Sequence, residues 1–486
     1  MHSAISQRMT ATAPPEKLRP FTRLAYGSGE FGPAIAGSTM IFFQLIFLTN
    51  VAGLNAGYAG TVLLIGKLWD AFNDPLIGWL SDHTRTRWGR RLPWITVSVL
   101  PFALCFWLQW LVPGFITQAN QLGLFAYYVI VSLAYNSFYT GLILPHNALT
   151  AELTSSYDER SRITGFRMAF SLAGSVGGLL LALVIFRLLQ HAPATTQYFW
   201  FGATISLIGI GSMAFCLAGI WRTVIAREHA RVAAKAALPT EVPVPIREQF
   251  RIVFANRPFL IVCGIYLFSW MAMQFTATIL PFYVESCMGL PGGDFQLLAL
   301  TVQATALLLI PAWGWLSVRA GKKPVYFYGM TLWLVAQVGL LFLQPGQKPL
   351  LFVCAFVAGF GISVCYLIPN AMLPDTIEYD ELRTGQRREG VFYGFFVFLQ
   401  KCALALGTFV VGQVLAAAGY ISHGPHEAVP IQPESALTAI RLAIGPLPAV
   451  ALLLGMFCTW RFPITKAKHA EILRELAARK APHASA

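Results

Sequence analysis

Of 486 residues, 56% are hydrophobic and only 12% are charged, against about 25% charged in an ordinary soluble domain, so the composition excludes a water-soluble globular chain. The net charge of +13 would suit nucleic acid if it formed one patch, but it collects in alternate loops between apolar blocks. It is therefore a topology signal and excludes a nucleic-acid footprint.

Apolar segments long enough to cross hydrocarbon fall at roughly 24–50, 57–81, 94–114, 122–150, 164–189 and 197–221, then at 257–284, 296–317, 323–344, 349–372, 391–419 and 437–461. The expected fold is all-α, with twelve transmembrane helices in two six-helix bundles. The chain divides into a tail (1–23), a first bundle (24–221), a connector (222–256), a second bundle (257–461) and a second tail (462–486). No removable signal peptide is visible in MHSAISQRMTATAPPEKLRPFTR. Lys and Arg follow the even-numbered spans and fill both tails and the connector, whereas Arg187 and Lys348 are nearly alone on the other side. Both termini are expected in the cytoplasm of a cell-membrane protein. The connector, Pro-rich in its middle, reads as an amphipathic surface helix with a linker near anionic lipid.

The halves echo one another. GWLSDHTRTRWGRRLP follows the second span, and GWLSVRAGKKP begins 236 residues later, after the eighth. LPHNALTAELTSSYDER and IPNAMLPDTIEYDELR similarly follow the fourth and tenth spans. A parallel repeat of this kind places a substrate site between two bundles.

Asp70 and Asp74 lie in KLWDAFNDPLIGWL, inside the second span. At i and i+4 they share a helix face, about 6 Å apart at Cβ, and each is costly in a bilayer without a partner. A bound cation would resolve both. Pro75 cannot donate to the Ala71 carbonyl, so a free backbone oxygen lies on the same turn. Oxygen ligands suit a hard cation such as Na⁺, while crowding of two carboxylates also permits H⁺. Lys67, one turn before Asp70, is the alternative counter-charge. The chain reads as an ion-coupled membrane transporter of a small molecule.

Gly78-x-x-x-Asp82 followed by Gly89-Arg90-Arg91 resembles the loop motif between the second and third helices of the major facilitator superfamily. KLWDAFNDPLIGWLSDHTRTRWGRRLPWI, LPHNALTAEL and MLPDTIEYDELRTGQRREG are similar to segments of its glycoside-pentoside-hexuronide:cation symporter branch, across essentially the whole chain. The resemblance implies alternating-access symport of a sugar, glycoside or hexuronide with Na⁺ or H⁺. The branch also holds sodium-dependent lysophospholipid carriers, so an amphipathic organic anion is the alternative substrate. The resemblance further implies that Asp70, Asn73, Asp74 and Thr140 are cation ligands, and that Lys401, Arg167, Tyr139 and Asn147 are near the substrate. It makes Asp82, Arg90 and Arg91 a conformational latch. The aspartates with which the branch's melibiose permease holds sugar correspond to Ala34 and Ile143, and its sugar-stacking Trp corresponds to Asn147, so the carboxylate clamp is missing. With Lys401 retained, an anionic head group is expected to be favoured over a cationic one.

No HExxH, GxSxG or Walker loop occurs, and the eight cysteines show no CxxC spacing, so enzyme chemistry and a cofactor are not expected. Asp158, Glu159, Asp380 and Glu381 stand at cytoplasmic helix ends beside arginines, where ion pairs could open and close. His146, beside Pro145, is given no catalytic work. A monomer whose partners are its substrate and membrane lipid completes the expectation.

Overall fold

The computed structural model describes residues 18–480 except 118, 155–156, 235–245, 291, 387 and 423–429. Most of the N-terminal tail and the Pro-rich middle of the connector thus lie outside the described residues. Among those described the regular structure is helical. The first-half helices are α1 (Pro20–Ser28), α2 (Phe31–Asn50), α3 (Ala56–His83), α4 (Leu92–Leu108), α5 (Gln121–Leu153), α6 (Tyr157–Leu188) and α7 (Ala194–Ala234). After α8 (Ile246–Ala255) come α9 (Arg257–Phe282), α10 (Gly292–Ala320), α11 (Lys322–Phe342), α12 (Lys348–Thr384), α13 (Glu389–Ala417), α14 (Glu434–Ile444), α15 (Pro446–Arg461) and α16 (Lys466–Lys480).

Helices are what such apolar segments must form, because hydrocarbon offers the backbone no hydrogen-bonding partner. Ten helical stretches are long and apolar enough to cross a membrane. The two other expected spans are α3, which carries Lys67, Asp70, Asp74 and Asp82, and α4, an apolar helix of 17 residues. The first span is interrupted between α1 and α2, and the last between α14 and α15, at Gly445. The sixth extends as helix through Ala234, well into the stretch expected to be connector. The amphipathic element of that connector is α8, at its far end.

Helices α1–α7 pack among themselves, as do α9–α15. The two sets meet chiefly along α3–α13, α6–α10 and α2–α9. Much of this contact lies at the end of the bundle opposite the termini. There the Tyr420 hydroxyl donates to Asn50 Oδ1 at 3.0 Å, and Gln413 Nε2 donates to the Gly57 carbonyl at 3.0 Å. Phe295 of α10 packs edge-on against Phe43 of α2 with ring centroids 5.1 Å apart, a geometry worth about 1 kcal/mol beyond burial.

At the terminus-bearing end three ion pairs tie elements within one half. Arg23 meets Glu159 at 2.5 Å, Lys322 meets Asp375 at 2.7 Å, and Arg388 meets Asp380 at 2.7 Å. The tail helix α16 joins this end through His469, whose Nε2 is 2.6 Å from Glu378 Oε2 on α12.

Candidate functional site

Asp70 and Asp74 project from α3 toward α5, and a close approach of these helices brings them there. A Cβ on Gly66, one turn before Asp70, would stand 2.1 Å from Ser132 Oγ of α5. The Thr140 hydroxyl, two turns beyond Ser132, lies 2.9 Å from Asp70 Oδ1 and 3.0 Å from Asp74 Oδ1. A hydroxyl carries one hydrogen, so it can satisfy only one of these oxygens at a time. The other faces its lone pairs, an arrangement that a proton or metal cation relieves.

The positive charge comes from the second half. Lys401 of α13 places Nζ 3.0 Å from Asp70 Oδ2, and it also donates to Asp74 Oδ2. Lys67 forms no ion pair with either carboxylate; it lines a small central cavity instead. The ion pair that Lys67 offered as the alternative to a bound cation is instead made by Lys401, across the interface between halves. Two carboxylates thus share a single directly bonded ammonium. Asp70 and Thr140 are buried, whereas Asp74 keeps 29% of its side chain exposed. Asn73 is buried too, but its amide reaches toward the Asn136 carbonyl, at 3.5 Å, rather than the carboxylates.

Of the residues expected near substrate, Tyr139 lines the central cavity. Arg167 and Asn147 do not; they are held together within the first half. Arg167 Nη2 is 2.7 Å from Glu30 Oε1 and also donates to Asn147 Oδ1, while Nη1 donates to Thr150 Oγ1 at 3.0 Å. His146 joins this cluster: its Nε2 donates to the Tyr26 carbonyl at 3.0 Å, and its Nδ1 is 3.8 Å from Glu30 Oε1. Lys401 is likewise engaged by carboxylates rather than free for an anionic head group. The latch residues do meet: Arg91 reaches Asp82 at 2.5 Å and Ser81 at 2.8 Å, and Arg90 reaches Glu152 at 2.5 Å and Asp82 at 3.7 Å. All of these lie in the first half.

The central cavity, about 190 Å³, is bounded by α2, α3, α5, α9, α13 and the end of α4. Sequence reasoning missed its polar lining. Gln44 Nε2 donates to Gln109 Oε1, Gln274 Nε2 donates to Thr278 Oγ1 at 2.8 Å, and Asn136 Nδ2 donates to the Ser132 carbonyl at 2.8 Å. The only available signal was the rarity of amides within apolar spans. Glu30 was missed because it sits next to the break in the first span and its partner is 137 residues away.

The sequence model described as MFS/sugar transport protein matches residues 25–466, nearly the whole chain. The chain belongs to this family. An uncharacterised symporter of Synechocystis sp. is 42% identical, with 98% of this chain and 99% of the relative covered. A sodium-dependent lysophosphatidylcholine symporter of Danio rerio is 27% identical over 91% of this chain and 86% of its own length. An isoprimeverose transporter of Lactiplantibacillus pentosus is 26% identical, covering 91% and 88%. Among solved structures, a bacterial homologue of the human lysosomal transporter Spinster aligns with TM-score 0.65 at 13% identity, covering 94% of this chain and 99% of that one. At that identity the likeness shows the fold alone. This protein is a multi-pass membrane symporter of the major facilitator type, and its relatives are transporters rather than enzymes.

Proposed function

We propose that this symporter couples entry of a sugar or glycoside to Na⁺ or H⁺, with the cation bound between Asp70, Asp74 and Thr140. The observation that carries the proposal is the seat of Lys401 on both carboxylates. A charge from the second half occupies the cation's place on the first, so binding a cation displaces Lys401 and loosens one tie between the halves. Cation and substrate together then license rocking about the midplane. The protein works as a monomer in the cell membrane with both termini cytoplasmic. The contacts far from the termini would accordingly close the outer side, and Asp82, Arg90, Arg91 and Glu152 would change partners as the inner side closes. Similarity to an isoprimeverose transporter favours the carbohydrate.

Lysophospholipid is the second reading. Similarity to sodium-dependent lysophosphatidylcholine symporters favours it, as does a cleft of about 1140 Å³ beside α2, α6, α9 and α10, whose walls combine Phe43, Phe186 and Phe295 with Arg187 and Glu285. The deciding experiment is uptake into proteoliposomes under an imposed Na⁺ or H⁺ gradient, with labelled pentoses, hexoses and lysophosphatidylcholine as substrates. Gradient-driven accumulation that survives Asp70→Asn would overturn the cation site.

A further inference from the structure

Three buried polar atoms without hydrogen-bond partners belong to residues lining the one central cavity: Gln109 Nε2, Asn136 Oδ1 and Gln274 Oε1. Buried polar groups are almost always paired, and each unpaired one is costly. These three have their other amide atom already fixed, Gln109 by Gln44, Asn136 by Ser132 and Gln274 by Thr278. Their free atoms are therefore held in set orientations rather than free to turn toward one another. All three side chains are at most 3% exposed.

We infer that Gln109, Asn136 and Gln274 form the recognition site for a small, neutral, polyhydroxylated substrate. The assignment rests on the symport proposal above and deepens it by naming the residues that select a neutral sugar. The site offers one NH2 group, with two hydrogens to donate, and two carbonyl acceptors. A hydroxyl both donates and accepts, so a ligand carrying several hydroxyls satisfies all three. A carboxylate or phosphate offers acceptors alone and leaves Asn136 and Gln274 facing lone pairs. An ammonium offers donors alone, leaves Gln109 unmatched, and meets Lys67 in the same cavity. An acyl chain satisfies none of the three.

Volume agrees with the chemistry. About 190 Å³ is the space of roughly six waters, which suits one sugar ring and not a phospholipid. Gln109 and Asn136 stand in the first half and Gln274 on α9 in the second, so one bound ring would bridge the halves that the cation unlocks. Being neutral, the three amides add no negative charge to the cavity.

The test is equilibrium binding to the purified full-length protein in nanodiscs at fixed NaCl, followed by calorimetry. The probes are D-xylose, D-glucose, D-galactose, their methyl glycosides and single-deoxy analogues, and lysophosphatidylcholine. At least one neutral sugar should bind, and lysophosphatidylcholine should not displace it at equal concentration. Gln109→Leu and Gln274→Leu should each weaken it at least about tenfold. Should either variant misfold, the deoxy series on the unmutated protein gives the same answer, with tenfold losses at two or more hydroxyls. Absence of binding by every neutral sugar, affinities unchanged in both variants, a flat deoxy series, or displacement by lysophosphatidylcholine overturns the inference. Neutral-sugar binding with these losses, combined with cation-independent uptake, would instead sink the coupling proposal and leave the recognition site standing.

Discussion

Lys401 is the side chain on which the proposed coupling turns. Its ammonium pairs with both Asp70 and Asp74, and in that proposal the coupling cation competes with it. Lys401→Gln should therefore bind Na⁺ several-fold more tightly while losing coupled accumulation, because the tie to α13 is gone. Na⁺-dependent thermal stabilisation and proteoliposome uptake measure the two effects separately. Without Na⁺, the variant leaves two carboxylates with no counter-charge. Asp74 is 29% exposed, so the cost falls below the ~3–5 kcal/mol of a fully buried broken pair, to about 2 kcal/mol, and Na⁺ should restore it. A Lys401→Gln protein with weaker Na⁺ binding would show that the lysine supports the site instead of competing for it. Thr140→Ala removes the hydroxyl between the carboxylates and should raise the Na⁺ concentration for half-maximal uptake about tenfold. Thr140→Ser should come close to wild type, and equal loss in both variants would make the threonine a packing residue.

Between elements, the contact of α3 with α13 depends on an absence of side chains. A Cβ on Gly412 would stand 2.8 Å from the Ala56 carbonyl oxygen and 2.8 Å from Gly60 Cα, backbone atoms that cannot turn aside. Gly412→Val should hold the two helices apart at the end far from the termini and reduce transport more than tenfold, while each half keeps its own packing. A cysteine at Thr61, beside this contact, should then react faster with a thiol reagent than in the parent protein. Unchanged labelling would mean that the helices part elsewhere. In the first half α3 was legible from its paired aspartates, and in the second α12 was legible from its length and hydropathy. The breaks after α1 and at Gly445 were not, because adjacent helical turns on either side share one apolar composition.

For the molecule as a whole, the arginine-rich loops predict cytoplasmic termini, and the fold gives convenient sites to check it. After replacement of the native cysteines, Gln386→Cys should be shielded from an impermeant thiol reagent in whole cells. Gln190→Cys and Gln344→Cys, at the other end, should react. Reversed labelling would overturn the proposed orientation and, with it, the proposal that the contacts far from the termini close the outer side.

The apolar blocks by themselves determined a helical membrane protein of two related halves, since chain length per span and the cost of unpaired backbone in hydrocarbon leave little choice. The paired carboxylates at i and i+4 were equally legible, because a helix fixes which neighbours share a face. Contacts between residues distant in sequence were another matter. Lys67 was the nearest cation in sequence to Asp70, yet Lys401, 327 residues beyond Asp74, takes both carboxylates. Gln109, Asn136 and Gln274 come from three separate helical regions, and only packing brings their free amide atoms to one cavity. Periodicity constrains a helix's faces, but which face meets which partner is set by close packing of all the helices at once, and that decided where charges meet and where hydrogen-bonding groups are left unpaired.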